Sequence, residues 1–371
     1  MKILDRYVIM EMFWPFVGGV AIFTILFIAG GQLFVVTRMI TEDNTPVSLA
    51  LYYLANSMPA ILVFTFPMAV LLGALLAFGR LSGESELTAL KAGGISFLRT
   101  AFPGLMLTLF ITFIALVINN LFAPNATYIA QNILFEQLMK NQDMIRENLV
   151  IKENDEEGME RVVFSRKLLP RENRMEDATI QYYKGRVMVR QVRAKDVYYK
   201  PSEGKWFLKL AYIEDYAKGP EPGYFSVARE VYLPLKKSPD QLAARERRPE
   251  EMNREQLAAR LDQMETEGFE NENEHKKYRE YEVYYHQKIA IPFTCFVFGM
   301  FGIPLGVRPN RTNRAVGLGI SIIFIFLYYV LMSIGMAMGR NGLMPTFWAA
   351  WMPNMVFAVA GMVLLIKVGK Q

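Results

Sequence analysis

Six stretches of the chain carry no Asp, Glu, Lys, Arg or His: residues 12–36, 57–79, 100–122, 289–307, 315–339 and 343–366. Each is 19 to 25 residues long, against about 20 for a helix that crosses a bilayer. The pattern predicts six transmembrane helices, three on either side of a polar insertion at residues 123–288. Inside the insertion the period changes. From about 148 to 235, β-type stretches such as "RVVFS", "ATIQYY", "RVMVRQV", "KWFLKLAYI" and "GYFSVAREVY" alternate with the turn formers "KG", "PSEG" and "GPEPG". That spacing suits an antiparallel sandwich or jelly roll. From 238 to 288 the chemistry becomes helical. Ser238, Pro239 and Gln241, then Asn253 and Gln256, stand where helix N-termini and capping boxes want them. "NEHKKYREYEVYYHQK" then runs straight into the fourth span and brings Tyr278, Tyr281, Tyr284 and Tyr285 to the interface. The expected fold is an α-helical membrane protein of six transmembrane helices with an inserted all-β, jelly-roll-like domain. Its divisions are 1–122, 123–288 and 289–371.

The first apolar run is too long for a signal sequence, whose core has about 7 to 15 residues, and reads as a retained span. Charge sets the orientation. With the N-terminus in the cytoplasm, the inner segments hold Lys2, Arg6, Arg80, Lys91, Arg99, Arg308, Arg311, Arg314, Lys367 and Lys370, and the outer short loops only Arg38 and Arg340. The positive-inside rule then places both termini in the cytoplasm and the insertion outside. These anchors account for most of the net charge of +5, and no basic patch with interleaved aromatics suggests nucleic acid.

Chemistry is excluded as readily. None of the six runs holds an ionisable group for a coupling ion; Asn119, Asn120 and Asn354 read as span-end residues. There is no phosphate-binding loop and no zinc-protease helix, and the only histidines, His275 and His286, lack ligand spacing. No metal, cofactor or catalytic group is therefore expected. The single cysteine, Cys295, lies in the fourth span and reads as packing. Gly302 and Gly306, and Gly335 and Gly339, have the four-residue spacing of helix contacts.

One piece stands apart. "LSGESELTALKAGG", residues 81–94, sits between the second and third spans, with Ser82 as a candidate N-cap and Gly93 and Gly94 as a left-handed stop. About ten helical residues, roughly 15 Å, cannot cross a bilayer. Leu87 and Leu90 share a side, with Glu86 beside them. This suits either docking into a groove on a soluble partner or a plain surface helix. The residues leave two classes open: a transporter subunit powered by a partner, or a non-transporting assembly or signalling protein whose outer domain binds a partner.

"FPMAVLLGALLAFGRLSGESELTALKAGGIS", with "LDRY" near the N-terminus, "PEEM" after the outer domain and "GIPLGVRPNRTNRAVGLGISI" around spans four and five, resembles the LptF/LptG family of lipopolysaccharide export permeases over essentially the whole chain. The resemblance implies a permease subunit of an ATP-binding-cassette exporter in the bacterial inner membrane. It further implies a cytoplasmic LptB-like ATPase dimer, a second LptF/LptG-type subunit in a hetero- or homodimer, and LptC/LptA-like periplasmic bridge proteins that receive lipopolysaccharide. Residues 82–94 would be the coupling helix, with Glu86, Leu87, Leu90 and Lys91 facing the ATPase. Arg38 occupies the place of basic residues that meet lipid phosphates. Strand alternation adds Val187, Val189, Trp206, Leu208 and Leu210 as the lining of an apolar lipid path, a pattern that an ordinary packed core shares.

Overall fold

The computed structural model describes residues 3–141, 146–154, 160–169, 172–185, 187–216, 224–235, 238–239, 242, 247–269, 271–307 and 314–370. They divide into two compact units, Met1–Ile133 with Arg247–Gln371, and Leu134–Glu246. The second is narrower than the 123–288 division expected from polarity. Helical residues on both sides of it keep packing with the spans, because hydropathy marks where the membrane ends and not where a helix ends.

In the first unit, the described helices are α1 (Ile3–Thr41), α2 (Val47–Gly83), α3 (Glu86–Ala92), α4 (97–141, its last residues in the second unit), α5 (Arg254–Glu267), α6 (Glu272–Gly306), α7 (Arg314–Arg340) and α8 (Thr346–Lys370). Six are long and apolar enough to cross a membrane. The first, second and fourth of these have 39, 37 and 35 residues, or about 50 to 60 Å at 1.5 Å per residue, so their ends run well past a hydrocarbon core of about 30 Å. α1 and α4 each pass through one π-helical turn, Ile28–Gln32 and Ile118–Phe122.

α2 and α6 form the centre, with 78% and 72% of their most apolar windows buried, whereas α1 and α7 bury 11% and 22%. α6 packs on α2, α4, α7 and α8. The spaced glycines make this approach close. A Cβ on Gly302 would stand 3.0 Å from Ala74 Cβ, and one on Gly306 3.2 Å from the Gly79 backbone nitrogen. Gly335 and Gly339 serve the α7–α8 contact against Ala349. Cys295 is buried, as expected of a packing residue. Asn354 is not at a span end in the packing sense. It is buried, accepts from Thr294 Oγ1 at 3.0 Å and donates to the Ala290 carbonyl at 2.7 Å.

The N-terminal capping box of α5 is present as expected, Asn253 Oδ1 accepting from the Gln256 amide at 2.8 Å and Gln256 Oε1 from the Asn253 amide at 3.0 Å. The capping box expected at Ser238–Gln241 falls largely outside the described residues, as do Arg308 and Arg311.

The second unit holds six antiparallel strands, β1 (Arg146–Asn154), β2 (Glu160–Leu169), β3 (Arg174–Lys184), β4 (Val187–Lys200), β5 (Lys205–Asp215) and β6 (Tyr224–Leu233). They form one sheet in sequence order, so the described strands are joined as neighbours, without a Greek-key crossover. A crease crosses the sheet. Pairing steps over Asn148, Arg166, Asp177, Lys195, Leu210 and Arg229 in successive strands, and Asp177 and Leu210 have φ of 49° and 53°. On one side of the crease the core positions are Leu168, Met175, Val197 and Leu208; on the other they are Val163, Ile180 and Val192, with the opposite parity. All seven belong to a single buried cluster. The switch of parity keeps both arms of the sheet facing one core.

Candidate functional site

The charged piece between the second and third spans folds as α3, shorter than expected. α2 continues through Ser82 to Gly83, so the N-cap position of α3 falls not on Ser82 but on Ser85, which with φ of 62° makes the corner. At the other end the expected left-handed glycine is Gly94, φ 83°. Ile95 donates to the Leu90 carbonyl and Gly94 to that of Lys91, both at 2.9 Å, the paired bonds of a Schellman stop.

Tyr7 and Glu11 lie one turn apart on α1, Arg80 ends α2, and Glu86 opens α3. The Tyr7 hydroxyl donates to the Glu86 carboxylate, 2.7 Å from Oε2 and 2.9 Å from Oε1. Arg80 Nη2 donates to the Tyr7 oxygen at 2.9 Å and pairs with Glu11 at 2.8 Å. It stands 4.0 Å from Glu86, and Arg80 Nε is 3.9 Å from Glu84. One guanidinium thus serves three carboxylates, leaving an acidic excess at the start of α3. Asp5 and Arg99, 2.6 Å apart, join α1 to α4 close by.

The four expected coupling residues do not share a face. Leu87 is 5% exposed and packs into the core of the helical unit, Leu90 is half-buried, and Lys91 is exposed. Leu87 is therefore unavailable to fill a partner's groove; turned inward by the short corner at Ser85, it anchors α3 to the spans. The outward surface is Thr88, Ala89, Lys91 and Ala92.

The sequence profile of the lipopolysaccharide export system permeases LptF/LptG matches residues 6–367. The chain belongs to the LptF/LptG family. Among individual curated proteins, none matches it. A permease of lipopolysaccharide export is a transporter component and not itself a catalyst. Among the described residues no group of three or more His, Cys, Asp or Glu could hold a metal ion.

The residues expected to meet lipid in this LptF/LptG permease are scattered. Arg38, near the end of α1, has a side chain 54% exposed and pairs with Glu42 one turn on, at 3.0 Å. Trp206 and Leu208 are buried in the sheet core, but Val187 and Leu210 are exposed and Val189 is half-buried. The crease explains the difference for Leu210: its positive φ breaks the alternation, and Ala211 takes the inward place. The five do not line one path.

Two residues of the permease, Gln287 and Lys288, escaped sequence reasoning, and a third, Asn119, was read only as a span-end residue. Lys288 is 6% exposed and Gln287 4%, at the point where α6 enters its apolar run, and Asn119, 8% exposed, donates to the Lys288 carbonyl at 2.9 Å. A charge-free window begins after Lys288 and so cannot show it. Asn119 is turned inward by the π-helical turn, for which no local signal is legible.

Proposed function

We propose that this permease is one transmembrane subunit of an ATP-binding-cassette exporter that extracts lipopolysaccharide from the inner membrane and passes it to periplasmic bridge proteins. The observation that carries the reading is α3: a helix too short to span, pinned to α1 and α2 by Tyr7, Arg80 and Leu87, with its other face free. Such an element transmits displacement into the spans, because moving it moves the ends of two long helices. The acidic excess at its start suits a basic rim on the ATPase, with Glu86 in the first turn of α3 and Lys91 on the outward face. With no phosphate-binding loop in the chain, hydrolysis belongs to the separate cytoplasmic ATPase dimer. Both termini and α3 face the cytoplasm, and the sheet unit is periplasmic, where its β domain meets the bridge. The weakly buried α1 and α7 leave apolar faces, including Trp14, Phe34, Ile323 and Phe326, for lipid and for a second permease subunit. Arg38 offers a guanidinium fork for lipid phosphate.

The test is Ala89→Trp, which adds bulk to the outward face of α3 and disturbs no internal contact. Membrane insertion and folding stay at the parent level. Recovery of the ATPase with the permease falls about tenfold or more, the equivalent of about 1.4 kcal/mol, and lipopolysaccharide release from vesicles falls with it. Parental recovery and parental release per ATP would remove α3 from the coupling path.

A further inference from the structure

A cavity of about 330 Å3 opens in the helical unit among α2, α4, α6, α7 and the turn at Pro249–Glu251. Its walls are of two kinds. Val63, Phe64, Met332 and Met336 make an apolar side, and Gln287 and Lys288 a side of buried donors. A lysine is seldom this buried unless paired. Here the Lys288 ammonium, with three protons to give, has a single acceptor among the described residues, the Glu250 carbonyl at 3.2 Å. Among the described residues, Gln287 Nε2 is buried with no acceptor. The Asn119 hydrogen bond to the Lys288 carbonyl holds this turn of α6 in place.

Unspent donors beside an apolar wall complement an acceptor-rich, negatively charged head attached to hydrocarbon. We infer that the cavity binds a phosphate-bearing lipid, its phosphate oxygens on Lys288 Nζ and Gln287 Nε2 and the start of one acyl chain along Val63, Phe64 and Met332. The volume is near the lower end of ligand pockets, which begin at about 300 Å3, so it takes a head and part of one chain, not a multi-chain glycolipid whole. A buried charge is costly unless it is paired and hydrogen-bonded, and no carboxylate neutralises this one within 4 Å among the described residues, which leaves the ligand to do so. The exposed Glu250 carboxylate at the rim opposes the ligand's charge and keeps occupancy reversible. The site lies within one subunit and does not depend on the ATPase partnership. Its phosphate comes either from a membrane phospholipid or from the exported glycolipid.

The experiment places the full chain in phosphatidylcholine nanodiscs doped with phosphatidylglycerol carrying a diazirine on one acyl chain. After illumination, adducts are expected on Val63 and Met332. Lys288→Met reduces them about tenfold or more, as loss of a desolvated charge contact does, and Glu250→Gln increases them. Val63→Trp, which fills the apolar side and leaves both donors intact, abolishes the Met332 adduct even if Lys288→Met proves unstable. Displacement by unlabelled lipopolysaccharide identifies the exported glycolipid as the source; displacement by unlabelled phosphatidylglycerol alone identifies the phospholipid. Equal labelling by a diazirine phosphatidylcholine, or parental labelling in a folded Lys288→Met or Val63→Trp variant, overturns the inference.

Discussion

Glu86 is held by its own chain, and a double-mutant cycle with Tyr7 measures how firmly. Tyr7→Phe removes one proton that is shared between the two Glu86 oxygens at 2.7 and 2.9 Å, so it counts as one bond, not two. A hydrogen bond to a charged group contributes about 1.5–3 kcal/mol. The Glu86 side chain is 31% exposed, and water screens it, which brings the expected coupling between Tyr7→Phe and Glu86→Gln to about 1–2 kcal/mol. Arg80 keeps Glu11 in the Tyr7→Phe variant, so loss of its contact with the hydroxyl does not leave the guanidinium unpaired. The assay is detergent-driven unfolding of the four cycle members in mixed micelles, followed by tryptophan fluorescence. In Tyr7→Phe, α3 also becomes more susceptible to proteolysis at Gly93–Gly94, because its first turn is no longer tied to α1. Effects that add to within about 0.5 kcal/mol would refute the coupling, and with it the reading of α3 as a rigid extension of the spans.

Three further outcomes follow from the packing. Leu208→Asn, at a position 2% exposed, costs about 2–5 kcal/mol, whereas Leu210→Asn is neutral or slightly stabilising, since asparagine tolerates a φ of 53° better than leucine; equal melting points would show that the crease is misplaced. Gly299→Ala puts a Cβ 2.3 Å from Thr108 Cγ2 and destabilises the α4–α6 contact by about 1–3 kcal/mol, while Gly18→Ala, with nothing within 4 Å, stabilises α1 by about 0.5–1 kcal/mol; detergent unfolding separates them, and similar shifts would refute the packing. In the sheet, hydrogen bonds from Tyr198 and then Lys200 hold the Glu230 carboxyl below its usual 4.5, so its contribution is complete above pH 4.5 and is lost as pH falls through the lowered value. Glu230→Gln therefore melts with less pH dependence than the parent between neutral pH and pH 3, and an identical pH profile would show that the contact is not made.

The six spans, the five later strands and the Asn253 capping box were legible because each rests on residues close in sequence. The glycine stop of α3 was legible for the same reason. What could not be read depends on distant partners or on backbone irregularity. Glu86 points inward because Tyr7, 79 residues away, meets it, and nothing around residue 86 announces that. Alternation assigned Leu210 to the face of Leu208, and the crease moved it to the other. Counting charges found where apolar runs begin, yet the residue just outside such a run, Lys288, is buried.

The two π-helical turns bear on how the permease tolerates changes of length. A π turn holds one residue more than an α turn. Deleting Gly30 or Gly31 from Ile28–Gln32 lets that turn relax to ordinary α geometry, with the faces on either side of it unchanged. A deletion elsewhere in α1 swings everything beyond it by about 100°, carrying Arg38 off its side of the helix. The first and third spans therefore each follow two helical wheels joined at a slack turn, and homologous chains are expected to gain or lose single residues at Ile28–Gln32 and Ile118–Phe122 in preference to any other place along those spans.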